Sequence, residues 1–505
     1  MGARTVGPMS VDTPAWARDA VFYQIFPDRF AASDRVQKPG VLEPWDAPPT
    51  VNGFKGGDLR GVAERLDYLV DLGINAIYLT PIFSSASNHR YHTYDYFEVD
   101  PLLGGNDALR ELLDAAHGRG MRVVLDGVFN HTGRGFWPFH HVLETGAASP
   151  YRGWFYLDQE RLDAGRPLWA YPPEGTPPFE LGYHAWWGLP ALPKLNTDNP
   201  DVREYLFTVA EYWLRFGIDG WRLDVPEEIK NEAFWQEFRG RCRAIRSDTY
   251  LVGEIWRIAP EWLRGDRFDA LMNYPLAEAI LGYAGGTHLN LDAVDSIPQY
   301  RDWLRPLDGP GFAARLMELS AVYDPDVVAV QLNLLGSHDA PRMRTVLGDD
   351  LAGVRLATLI QATLPGAPCI YYGDEIGLAG WTDPDCRRAF PWDEGRWDHA
   401  LRDTVRGLLR FRAAEPAFRD APLSIVGANG AAIAYARGAG ASTSRFVVAV
   451  NPGDEAVHLE VSLEDAERLV PVELPGFAGT SLTPIEDAQA TIELAPRSGA
   501  VYRTE

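Results

Sequence analysis

Three carboxylates each close an apolar run: Asp224 in GWRLDV, Glu254 in YLVGEIW and Asp339 in NLLGSHD. Carboxylates carried on separate strands can converge on one ligand, and hydrolysis of a glycosidic bond needs at least two of them. Arg222 and Asp224 are two apart, so on a strand both face the same way. If that face is a barrel interior, the guanidinium favours the ionised carboxylate and lowers its pKa, which suits a nucleophile. The plain alternative is a buried Arg–Asp pair that only holds the fold together. Glu254 follows Gly253 and precedes Ile255 and Trp256, and apolar and anionic neighbours raise a carboxyl's pKa, as a general acid requires. Asp339, beside His338, fits a helix N-cap at SHDAP equally well. Asp126 and His131 in VVLDGVFNH add a fourth such segment, and four in this order and spacing are more than a chance placement of polar groups.

Such groups need a repeating frame to position them. From about residue 20 to 420, short β-rich runs alternate with longer helix-like segments. The runs are AVFYQIF (20–26), AIYLTPIF (76–83), RVVLDGVF (122–129), GWRLDV (220–225), YLVGEIW (250–256), ALMNYPL (270–276), VVAVQLNLL (327–335) and PCIYYG (368–373). Eight of them predict an α/β fold, a parallel (β/α)8 TIM barrel. In LRGVAERLDYLVDLGI, Leu66, Leu69, Val70 and Leu72 recur near helical period before Gly73. Asp224 to Glu254 spans 30 residues, about one β/α unit, whereas Asp126 to Asp224 spans 98. The excess predicts an insertion over 132–200, rich in Trp, Tyr, Pro and Gly, overhanging the C-terminal face of the barrel. Barrel sequence is thus expected over 1–131 and 201–420. Beyond 420, AAIAYARG, RFVVAVNPG, VHLEVSLED and ATIELAPRSGAVYRT read as alternating strands, and 421–505 is expected to form an all-β sandwich.

The bulk numbers narrow the partners. A formal charge of −23 argues against nucleic acid, because a polyanion would be repelled, while a neutral glucan is indifferent to that field. No stretch approaches the roughly 20 apolar residues of a membrane span, and the N-terminus lacks a signal-peptide core. The three cysteines, Cys242, Cys369 and Cys386, have no metal-ligand spacing. An odd, sparse count fits a reducing compartment, so a cytoplasmic protein is expected. Nothing in the sequence selects an oligomeric state.

These motifs resemble the α-amylase family, glycoside hydrolase family 13, over about residues 20–505. By that resemblance Asp224 is the catalytic nucleophile, Glu254 the general acid/base and Asp339 the third carboxylate that grips sugar hydroxyls. Arg222, His131, His338 and Asp126 position the nucleophile and bind the sugar at the cleaved subsite. The mechanism implied is double displacement with retention. LPKLN (192–196), SNHRYHTYDYFEVDP (87–101), GEIWRIAPEWLRGDRFDALMNYP (253–275) and IYYGDEIGLAGWTDPDCRR (370–388) resemble the neopullulanase, cyclomaltodextrinase and maltogenic amylase group. That implies Tyr91 stacked on the sugar, further substrate contacts at Glu228, Asp383 and Arg387, and neighbouring subsites among Trp256, Trp186, Trp187 and Trp381.

The chain also departs from the group. The barrel begins almost at once, where the group carries an N-terminal module used in dimerisation and cyclodextrin specificity. His92 stands at the group's usual Asp, and VANE reads Val225, Pro226, Glu227, Glu228. Structural calcium has Asn130, Asp34 and Asp58 as candidates, with Ser33 and Gly57 nearby, a thin set for an ion that takes six to eight oxygens. No cofactor is expected for the chemistry. The leading expectation is a retaining hydrolase of α-1,4-linked, and to some extent α-1,6-linked, glucans such as maltooligosaccharides, cyclodextrins, pullulan or starch. A transglycosylase or isomerase of the same family is the nearest alternative, and a non-catalytic glucan-binding protein the most distant.

Overall fold

The computed structural model describes residues 11–438, 445–464, 466–477 and 482–505. The first ten residues, part of the N-terminus read above for a signal-peptide core, lie outside that range. Eight strands form the frame: Phe22–Ile25 (β1), Ala76–Leu79 (β2), Arg122–Gly127 (β3), Gly220–Leu223 (β4), Tyr250–Gly253 (β5), Ala270–Leu271 (β6), Leu332–Leu334 (β7) and Ala367–Tyr371 (β8). They pair in parallel in the order β6-β5-β4-β3-β2-β1-β8-β7. A parallel bridge between Met272 and Leu332 joins β6 to β7 and closes the barrel. Apart from Arg122 every residue in these strands is buried. Helices cover the outer face and packed side chains fill the inner one, so the strands read as continuous apolar runs.

Two of the eight predicted runs overreach. In ALMNYPL only Ala270–Leu271 is strand, and Tyr274–Gly285 is a helix with Pro275 in its first turn. In VVAVQLNLL, Val327 and Val328 belong to the short helix Pro325–Val328. An apolar run cannot tell a buried helix from a buried strand, because both exclude water on every side. The segment 59–72 forms two helices, Leu59–Glu64 and Leu66–Leu72, ended by Gly73 at φ 97°. Leu66, Leu69 and Leu72 are buried, but Val70 is 44% exposed, so the apolar stripe is narrower than expected.

Between β3 and β4 the chain leaves the barrel with little regular structure. The helices Trp137–Thr145 and Gln159–Asp163 are followed by isolated bridges, Ala185 with Pro193 and His131 with Lys194, that lead it back beside β3. The C-terminal part carries a six-stranded antiparallel sheet and a two-stranded one. Its strand Ala432–Arg437 is buried on both faces: Ile433 and Tyr435 join the barrel core, while Ala432, Ala434 and Ala436 pack with Leu459, Val461 and Ile492. The alternation there is of size rather than polarity. Among the described residues no helix is long and apolar enough to cross a membrane.

Candidate active site

The C-terminal ends of β3, β4, β5 and β7 bring the predicted carboxylates to one guanidinium. Asp126 and Arg222 are register partners on β3 and β4, so their side chains rise side by side. Arg222 is wholly buried, and its Nη1 lies 2.9 Å from both oxygens of Asp126 and 3.0 Å from Asp224 Oδ1. Its Nη2 lies 2.9 Å from Glu254 Oε2, close enough for an ion pair but out of line for a hydrogen bond. Asp224 Oδ2 is buried with no partner. Val225 follows at φ 36°, ψ 53°, a left-handed conformation that a β-branched residue rarely adopts. The turn it makes aims the Val225 N–H at Glu254 Oε2, 3.2 Å away. Gly253 is required before Glu254, because a Cβ there would meet the Phe268 ring at 2.8 Å. The indole N–H of Trp256 donates to Glu254 Oε1 at 3.1 Å, and its ring stacks on Tyr274.

A second arm of the site runs through Tyr91. Its hydroxyl donates to Asp126 Oδ2 at 2.9 Å and lies 2.7 Å from His338 Nε2, and the two rings stack. Asp339 Oδ2 is 3.1 Å from the same His338 nitrogen, while Arg387 Nη2 is 3.2 Å from Asp339 Oδ1. Arg387 also pairs with Asp383 at 3.0 Å. Asp339, a third exposed, is the most open of the three expected catalytic carboxylates. His131 lies beside Asn130 with its Nε2 buried and unpartnered, and Trp186 stacks on its ring at 4.9 Å. Trp187 stacks in turn on Trp186 and is 73% exposed, and Trp381 is also exposed. Glu228 takes Lys194 Nζ at 3.2 Å. Hollows of about 390 Å³ and 400 Å³ open beside His89, His92 and Arg134 and beside Lys194, Glu228 and Tyr156.

The electrostatics differ from expectation in one respect. Arg222 does pull the pKa of Asp224 down, but burial, together with Glu254, Asp126 and Asp339, pushes it well above the usual carboxylate range. One guanidinium cannot keep three carboxylates ionised in a dry site. Burial also raises Glu254, against the pull of Arg222, and lifts Asp126 to about 6. The cluster therefore gives up its protons at higher pH than free carboxylates do. Both histidines are driven the other way by burial, His131 to about 3 and His338 well below its ordinary value, so both are neutral. Four site residues escaped the sequence reading. Tyr78 donates to Asp126 at 2.8 Å, Gln24 holds His338 Nδ1 at 2.8 Å, Lys194 meets Glu228, and Tyr274 backs Trp256. Gln24 in FYQIF and Tyr78 in IYLTP are polar groups inside barrel strands, and that was the available signal.

The two calcium candidates in the loop after β1 do not fit an ion: Asp34 is exposed and Asp58 is covered by Lys38 at 2.7 Å. Asn130 turns its Nδ2 to His131 and leaves its Oδ1 buried without a partner. The carbonyls of Val128 and His131, which flank Asn130, are taken by the Tyr96 hydroxyl at 2.7 and 3.0 Å. Among the described residues no three His, Cys, Asp or Glu side chains cluster as metal ligands.

The family model "Alpha amylase, catalytic domain" matches residues 24–420. A cyclomaltodextrinase of Geobacillus thermopakistaniensis is 42% identical over 455 residues, which is 89% of this chain and 72% of that protein. The structure of a debranching enzyme from Nostoc punctiforme superposes with a TM-score of 0.88 at 46% identity, over 98% of this chain and 100% of that one. A cyclic α-maltosyl-(1→6)-maltose hydrolase from Arthrobacter globiformis superposes with a TM-score of 0.83 at 38% identity, over 98% of this chain and 100% of that one. With the matching family model covering most of its length, this chain belongs to the α-amylase family and is a glycoside hydrolase.

Proposed function

We propose that the chain hydrolyses α-1,4 and α-1,6 glucosidic bonds with retention, Asp224 being the nucleophile and Glu254 the acid and base. The observation that carries this is the division of labour at Asp224. Its Oδ1 is held by Arg222 while Oδ2 is unpartnered, one oxygen anchored and one free to bond carbon. Arg222 is in line with Asp224 and out of line with Glu254, and the reaction begins with Asp224 ionised and Glu254 protonated. Asp224 Oδ2 bonds the anomeric carbon as the glycosidic C–O bond breaks, and Glu254 gives its proton to the leaving oxygen. Glu254 then takes a proton from water, whose oxygen displaces Asp224.

Asp339 and Arg387 grip sugar hydroxyls, Tyr91 packs the apolar face of the ring, and the unpartnered His131 Nε2 bonds a hydroxyl. The chain's own residues supply the nucleophile and every proton transfer, with no cofactor. The relatives' names join opening of cyclic α-glucans to cleavage of 1→6 links, and maltooligosaccharides, cyclodextrins and pullulan are the substrates in view. Three buried, unpaired cysteines suit the cytoplasm. The test is incubation of wild type and Glu254→Gln with β-cyclodextrin, pullulan and soluble starch, resolving early products by chromatography. Release of reducing sugar from at least one, abolished in the variant, is expected. No reducing sugar from any of them refutes the proposal, and transfer products dominating at low substrate would reassign the enzyme as a transglycosylase.

A further inference from the structure

The loop after β1 is tied down by buried ion pairs that the reaction does not use. Asp58, with none of its side chain exposed, caps the helix Leu59–Glu64. Its Oδ1 accepts from the Gly61 N–H at 2.8 Å and from Ser33 Oγ at 2.9 Å. Its Oδ2 accepts from the Ser33 N–H at 2.9 Å and from Lys38 Nζ at 2.7 Å. Each oxygen thus has two donors, which fills the carboxylate. Close by, Asp28 pairs with Arg29 at 3.0 Å and Arg90 at 3.7 Å, and Asp100 with Arg90 at 3.2 Å. Glu43 pairs with Lys55 at 3.3 Å and Arg29 at 3.8 Å.

In these pairs four cations face four carboxylates, so the charges balance without a metal. The choice of cation is informative. The chain has four lysines against 43 arginines, yet two of the four, Lys38 and Lys55, sit here. An ammonium is a compact point charge with donors on all sides of its tip, whereas a guanidinium is a flat fork. Of the side chains, it comes closest to a bare cation.

We propose that the Lys38 ammonium is a built-in cation that neutralises Asp58, so that this loop holds its structure without a divalent metal. Calcium needs six to eight oxygens, and both Asp58 oxygens are already taken. Inserting a divalent ion into a balanced, buried cluster would leave positive charge uncompensated. The arrangement also reaches the active site. Asn88 donates from Nδ2 to the carbonyls of Val51 and Gly53 at 2.9 and 2.8 Å, so the loop clamps the segment that carries Tyr91.

The test is thermal unfolding of the full chain in excess chelator and in millimolar calcium. The wild-type midpoint is expected to agree within about 1 °C between the two. In chelator Lys38→Met should lower it by roughly 3–6 °C, because Asp58 is left charged and buried without its partner. Lys38→Met combined with Asp58→Asn should recover part of that loss, since Asn also caps helices. A wild-type midpoint that rises several degrees in calcium, or a heat of calcium binding by calorimetry, overturns the proposal, and neither result depends on the variants folding. A Lys38→Met midpoint equal to wild type overturns it as well, as does a double variant no more stable than the single one.

Discussion

Two buried charge clusters in this molecule are built on opposite principles. Around the reacting carboxyls, the buried Arg222 faces the buried Asp126, Asp224 and Glu254, one cation for three carboxylates. In the loop after β1 the ratio is four to four. Both are packed away from water, so the difference lies in the number of cations. In a balanced cluster each carboxylate has a cation of its own, and the network holds a loop still. A cluster short of cations must carry protons, and movable protons are what general acid–base chemistry draws on. The crowding that makes the first cluster reactive also makes it a stability cost, which the rest of the barrel offsets.

The comparison can be broken most decisively at Asp224. Asp224→Asn should reduce kcat by roughly 10⁴-fold or more while raising stability by about 1–2 kcal/mol, because one crowded carboxylate is removed. Denaturant unfolding beside steady-state rates measures both, and equal losses of activity and stability would contradict the charge-deficit account. Arg222→Met removes the cation shared by three carboxylates and should cost about 3–5 kcal/mol near pH 7. That cost should shrink as the pH falls and the abandoned carboxylates take up protons. A cost independent of pH would mean that Arg222 acts only by packing.

Glu278 sharpens the contrast, as a buried carboxyl whose Oε1 has no hydrogen-bond partner. Burial lifts its pKa to about 8, with Arg315 pulling weakly the other way. The folded state therefore binds this proton more tightly than the unfolded chain does. Its contribution to stability is full below the unfolded value near 4.5 and is lost as pH rises through about 8. Glu278→Gln should exceed wild type by roughly 3 kcal/mol at pH 9 and by under about 1 kcal/mol at pH 5. Unfolding curves at the two pH values check the sign. The smallest effect is expected at Trp256, whose N–H favours the ionised form of Glu254. Trp256→Phe should raise the Glu254 pKa further and move the alkaline limb of kcat/KM up by about half a unit. An unmoved limb would mean that another group sets it.

The sequence by itself determined the barrel and the carboxylates and arginine that its strands carry to its mouth. Period and spacing report burial and strand parity directly, and Arg222 and Asp224, two apart, share a face wherever that strand lies. It did not mark the ends of β6 and β7, because buried strand and buried helix are equally apolar at Met272–Leu276 and Val327–Val328. It did not show Gln24 or Tyr78 in the site, since each reaches it from a strand far away in the chain. The sign of the Asp224 shift was beyond it too. Residue spacing places one arginine beside one aspartate, but a pKa depends on every charge within a few ångströms and on how much water remains. Only the fold decides how many carboxylates share that arginine, and which loop has a lysine to spare for its own.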